Sequence, residues 1–121
     1  MEAALPPSEL AALRDLVREF VAERDWDQFH TPKNLAAALS VEAAELLEPF
    51  QWLSTGNELD AAGRLAVRHE MADVLVYLIR LADKLDVDLA AAVHEKMALN
   101  RAKYPAERVR GDARKYDQYG D

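Results

Sequence analysis

At 121 residues, half of them apolar and 31% charged, the chain has the size and composition of one folded domain around a single core, and neither disorder nor a fibrous repeat fits it. Its 15 basic and 22 acidic residues leave a net charge of −7, which argues against nucleic-acid binding, because that depends on Lys and Arg set against phosphates. A small phosphorylated ligand stays compatible, since a bound cation reverses the local charge. The absence of cysteine excludes disulfides, thiol catalysis and thiolate metal sites, and makes a cytoplasmic location the expectation.

Residues 1–7 have neither a basic region nor a long apolar run, so neither a signal peptide nor a membrane anchor is expected there. A first helix is predicted after Pro6-Pro7, with Ser8 as its N-cap and Leu10, Leu13, Val17, Phe20 and Val21 at helical spacing as far as Asp25. An aromatic and polar connector follows, Asp25 to His30. Thr31-Pro32 then reads as the cap and first residue of a second helix, because proline loses nothing where the N–H is unpaired anyway. This helix carries Leu35, Leu39, Leu46 and Phe50, and ends before Ser54-Thr55-Gly56-Asn57. The third helix is the longest, from about Leu59 to Leu85, with Gly63 a weak point near its start. Val67, Met71, Val74, Leu75, Leu78, Ile79 and Ala82 form its broad apolar face. Asp86-Val87-Asp88 offers a break and a cap. A fourth helix, packing through Leu89, Val93 and Met97, runs to about Lys103 and is stopped by Pro105. Without strand-like alternation or repeats, the fold expected is an all-α, antiparallel four-helix bundle-like domain over 1–104, followed by an irregular arm over 105–121.

The second and third helices carry acids where a core-facing helix would not. On a helical wheel Glu42 shares the side of Leu35, Leu39 and Leu46, and Glu45 lies one turn on at the edge of that stripe. Glu70 shares a face with Val67, Val74 and Tyr77, and Asp73 lies one turn further at its edge. Four clustered carboxylates repel, and burying any of them unpaired is costly. Pairing with Arg64, Arg68 or Arg80, sharing of protons, or a hard divalent cation such as Mg²⁺ would each relieve the cluster. Ordinary surface ion pairs are the plainer alternative. Glu48 keeps the spacing of three but lies about 60° beyond Glu45, open to reading as a third-turn ligand, with a base acting on a metal-bound water and a solvated residue ahead of Pro49 as the two favoured alternatives.

On the fourth helix Lys96, Asn100 and Lys103 project from one side, which suits either a polyphosphate or a helix C-terminus whose dipole they offset. Trp26 and Trp52 flank the second helix, where they can stack on a nucleobase or plug the core. His30, near a helix start, can contact phosphate or act as a cap.

These residues resemble a known family. Glu42-x-x-Glu45 and Glu70-x-x-Asp73 match the E-x-x-E…E-x-x-D signature of the all-α, MazG-like nucleoside triphosphate pyrophosphohydrolases. The segments ERDWDQFHTPKNLAAAL, EPFQWL, DVLVYLIRLADKL and KMALNRAKYP look most like the dCTP pyrophosphatase branch, and the resemblance covers about Leu13 to Tyr104. It implies Mg²⁺-dependent cleavage of a (deoxy)nucleoside triphosphate to the monophosphate and pyrophosphate, with Mn²⁺ able to replace Mg²⁺.

Under that resemblance Glu42, Glu45, Glu70 and Asp73 are the metal ligands, and Glu45 or Glu48 takes the proton of the attacking water. Lys96, Asn100 and Tyr104 belong to the triphosphate site. Trp26 and Trp52 occupy base-stacking positions, and His30, Asn34 and Tyr77 line the pocket. The resemblance also implies a homodimer or homotetramer, while the net charge and the lack of an apolar anchor make neither a nucleic-acid nor a membrane partner the expectation. One departure is Val17, where some animal relatives carry a histidine near the base, so the choice among dCTP, its 5-modified forms and other pyrimidine triphosphates stays open. Two other readings compete: a phosphoribosyl-ATP or general MazG-type pyrophosphohydrolase, and a non-catalytic helical oligomerisation module.

Overall fold

The computed structural model describes residues 8–114 and 116–118. All regular structure among them is helical: α1 (Glu9–Glu23), α2 (Pro32–Leu47), α3 (Ala61–Leu85), α4 (Leu89–Lys103) and the short α5 (Ala106–Val109), with 3₁₀ turns at Asp27–Phe29, Glu48–Phe50 and Tyr116–Gln118. The all-α expectation holds. The arm is less irregular than expected, since α5 starts directly after Pro105.

Each long helix starts at a side-chain cap. Ser8, Thr31, Asp60 and Asp88 accept hydrogen bonds from the backbone N–H groups of Ala11 (3.1 Å), Asn34 (3.1 Å), Gly63 (2.7 Å) and Ala91 (3.0 Å). These caps satisfy donors that the helix itself leaves unpaired. α2 ends at Leu47, earlier than its apolar pattern suggests, and Phe50 sits in the 3₁₀ turn instead. The cause is Pro49, which has no N–H to donate and whose ring opposes a continued α-helix. α3 ends at Asp86 in the left-handed conformation (φ 54°), whose N–H, with that of Val87, caps the carbonyls of Ala82 and Asp83.

The described residues fall into two compact units, one ending at Val87 and the other beginning at Asp88. In the first, α3 packs on both α2 and α1. α2 and α3 run antiparallel: Asp27 and His30, just before α2, meet Lys84 and Arg80 at the end of α3, while Glu42 and Glu70 meet further along. The core centres on Val21, Leu35, Ile79 and Ala82, with Leu35 only 1% exposed. Around it the stripe of α2 is half-buried at Leu39, Glu42, Glu45 and Leu46, as is that of α3 at Val67, Glu70, Val74 and Tyr77.

The apolar faces are wider than the area they cover. Leu13, Phe20, Met71, Leu75 and Leu78 stay exposed in the first unit, and Val93 and Met97 stay exposed on α4 although the pattern expects them to pack. Periodicity reports which face is apolar, not whether anything lies against it.

Candidate active site

Glu42 and Glu45 stand one turn apart on α2, and the antiparallel pairing brings Glu70 of α3 opposite them. One carboxylate oxygen from each of the three lies within 4.8 Å of the others. Oε2 of Glu42 and Oε2 of Glu70 are buried with no hydrogen-bond partner. Burial pushes the Glu42 carboxyl up to about 7. Its contact with Glu45 and the charge there add to the rise, followed by the Asp73 charge and the contact with Glu70. Asp73 itself is exposed and outside the three-residue cluster, near enough to act on Glu42 through its charge.

No ion pair to Glu42, Glu45 or Glu70 is present among the described residues. Of the arginines considered from sequence, Arg64 and Arg68 are exposed, and Arg80 bonds Asp27, Asp83 and His30 instead. Among the described residues this leaves proton sharing or a cation to relieve the cluster. The donor set fits a hard divalent cation. It consists of carboxylate oxygens alone, two of them buried without partners, and three protein ligands leave coordination positions for water or phosphate oxygens.

Glu48 lies outside the cluster, as its angular offset predicts. It is exposed and lines a cleft of about 490 Å³ together with Pro49, Leu53, Glu58, Leu59, Asp60, Gly63 and Ala66. Glu58 is committed to the loop that forms one wall, accepting from the N–H groups of Gly56 (2.6 Å) and Thr55 (3.3 Å). Gly56 adopts φ +88°, and a Cβ there would stand 2.8 Å from Cδ1 of Phe50, so the turn admits no side chain without strain.

The other residues expected at the site fall into separate places. Trp26 follows α1, meets Phe20 edge-on with ring centroids 5.6 Å apart, and is partly exposed; Arg24 lies 3.8 Å over the same Phe20 ring. Trp52 is 88% exposed beyond the 3₁₀ turn, which rules out the core-plug reading for it. Asn34 is structural as well as exposed, since its Nδ2 donates to the Phe29 carbonyl (2.9 Å) and ties the connector to α2. Tyr77 is half-buried on α3, two turns past Glu70. In the second unit, Lys96 is exposed and Asn100 half-buried on α4, with Tyr104 at its C-cap.

Sequence reasoning missed the charged network of Asp27, His30, Arg80, Asp83 and Lys84. Its two halves, Asp27 with His30 and Arg80 with Asp83 and Lys84, are joined across 50 residues or more (His30 to Arg80 is 50 apart, Asp27 to Lys84 57), so spacing does not link them.

Residues 37–118 match the MazG-like family. The chain belongs to the MazG-like family. Within it, dCTP pyrophosphatase 1 of Homo sapiens is 45% identical over 117 residues, spanning 93% of this chain and 69% of that protein. The Mus musculus dCTP pyrophosphatase 1 is 47% identical over 115 residues, 92% of this chain and 68% of that one. Among solved structures, a pyrophosphatase from Archaeoglobus fulgidus superposes with a TM-score of 0.75 at 40% identity, covering 86% of this chain and 99% of that one. The matched region of this MazG-like chain contains the whole carboxylate cluster. The described helices include none long and apolar enough to cross a membrane.

Proposed function

We propose that this chain is a dCTP pyrophosphatase, a nucleoside triphosphate diphosphatase of nucleotide-pool house-cleaning that hydrolyses dCTP to dCMP and pyrophosphate. The observation that carries the reading is the Glu42–Glu45–Glu70 cluster, with two buried oxygens lacking partners, on a chain 45% identical to a dCTP pyrophosphatase.

In this reading Glu42, Glu45 and Glu70, with Asp73 one turn beyond, hold Mg²⁺, or Mn²⁺ in its place. When bound, the cation supplies positive charge against the phosphate oxygens and acidifies a water. Water adds to the α-phosphorus, the α–β anhydride bond breaks, and pyrophosphate leaves. Glu45, or Glu48 at the neighbouring cleft, accepts the proton. Glu48 suits that task because its carboxylate makes no ion pair or hydrogen bond among the described residues. Trp26 and Trp52 stack on the base, with His30, Asn34 and Tyr77 beside it. Lys96 and Asn100 contact the triphosphate near Tyr104.

The exposed apolar residues of α1, α3 and α4 support assembly as a homodimer or homotetramer, for which light scattering after gel filtration is the direct test. A cytoplasmic setting, no nucleic-acid or membrane partner, and a helical domain over 1–104 with 105–121 as its arm complete the proposal.

The test is a panel of nucleoside triphosphates and phosphoribosyl-ATP, incubated with Mg²⁺ or with EDTA and resolved by anion exchange. Mg²⁺-dependent release of dCMP and pyrophosphate from dCTP is expected. Orthophosphate as the product, or turnover confined to phosphoribosyl-ATP, would reject the assignment.

A further inference from the structure

Arg80 is the one buried charged residue in the described core, at 6% exposure. A guanidinium so deep is tolerated only when its N–H groups are satisfied and its charge is balanced. Two of its bonds do this. One nitrogen donates to Oδ2 of Asp83 (3.2 Å), and another makes a short contact with Oδ1 of Asp27. Both aspartates are shared, because Lys84 donates to Asp27 (2.5 Å) and Arg18 grips Asp83 through two bonds (2.8 and 2.5 Å).

The third bond carries different information. Arg80 Nε donates to His30 Nδ1 at 3.1 Å. Guanidinium nitrogens only donate, so Nδ1 must be the unprotonated nitrogen, and a neutral imidazole then carries its proton on Nε2. That Nε2–H has no hydrogen-bond partner among the described residues. The same connector carries Trp26 and precedes the Thr31 cap of α2.

We propose that Arg80 is a positioning residue for the nucleotide: it locks His30 as the neutral Nε2–H tautomer, so that the ring presents a donor to an acceptor atom of the substrate. This rests on the reading of His30 as a pocket residue. The charged groups facing His30 are Arg80 and Lys84 on α3 and Asp27 on its own connector. Burial holds the imidazole below its ordinary 6.5, with the Arg80 and then the Lys84 charges adding to this and Asp27 opposing. His30 therefore takes up its second ring proton at a lower pH than a free histidine does.

The experiment is ¹⁵N NMR of the histidine rings in the full-length chain without substrate, paired with dCTP kinetics. In the native chain His30 is expected to show a single tautomer, Nδ1 bare and Nε2 protonated. Arg80→Met is expected to average the two nitrogens, to move the His30 titration upward, and to raise KM by about ten-fold with kcat within about two-fold. Arg80→Lys keeps the charge without the planar fork. It serves if the Met variant fails to fold, and the same loss of a single tautomer and rise in KM are expected. A native His30 protonated on Nδ1, or variants with unchanged ring signals and KM, would overturn the proposal. A fall in kcat at constant KM would overturn it as well. Absence of dCTP hydrolysis in the native chain overturns the proposed function, whereas the tautomer, read without substrate, decides the Arg80–His30 pairing by itself.

Discussion

Replacing Glu42 with glutamine removes a charge from the centre of the carboxylate cluster and leaves the side chain's volume almost unchanged. In the metal-free protein the Glu42 carboxyl is raised from 4.5 to about 7, first by burial and then by Glu45, Asp73 and Glu70. A carboxyl raised on folding binds its proton more tightly in the native chain than in the unfolded one. Stability is therefore full at pH values below about 4.5 and falls as the pH climbs toward 7, then stays level. At about 1.4 kcal/mol for each tenfold in the protonation equilibrium, the whole interval is about 3 kcal/mol, which solvent around a half-exposed group reduces to about 1–2 kcal/mol. Glu42→Gln should abolish that loss. In EDTA at pH 8 the variant should melt about 4–8 °C above the native chain, and the two should converge in acid. Adding Mg²⁺ should reverse the order at pH 8, because a cation bound only by the folded state stabilises the native cluster and has lost a ligand in the variant. Differential scanning calorimetry across pH, with and without Mg²⁺, reads both effects. A variant that melts below the native chain in EDTA at pH 8 would refute the idea of a repulsive cluster. An undiminished Mg²⁺ shift in the variant would remove Glu42 from the ligand set.

Two further outcomes test the frame around the site. Leu35→Ala empties the most buried position in the core and should cost about 2–5 kcal/mol in urea unfolding, because the surrounding helices collapse only partly into the void. Trp52→Ala removes a ring already 88% in solvent, so stability should change by less than about 0.5 kcal/mol. Binding of dCTP by calorimetry should weaken by about 1–3 kcal/mol if the ring stacks on the base, and unchanged affinity would remove Trp52 from the site.

Three of the four long-helix starts were legible because a cap is a local event: Ser8, Thr31 and Asp88 each act within three residues where the pattern puts them, whereas α3, expected from about Leu59, starts after the Asp60 cap. The end of α2 was less legible, since the apolar residues continue through Phe50 while Pro49 breaks the backbone beneath them. The acidic pairs were visible as residues out of keeping with their stripes. Their fate was not visible, because an arginine at helical spacing reads the same whether it meets the acids or turns elsewhere. Arg80 turns elsewhere.

From its sequence alone this chain was bound to be all-helical, with caps, breaks and two acidic pairs near the apolar faces of successive helices, because those properties depend on backbone chemistry and on periods of three and four residues. Only the tertiary structure decided that Glu42, Glu45 and Glu70 converge, with Asp73 near enough to act on Glu42 through its charge and Glu48 lining a cleft, and that Arg80 is buried against His30. Those facts depend on the antiparallel register of α2 on α3, which joins residues about 25 to 50 positions apart and leaves no trace in local spacing.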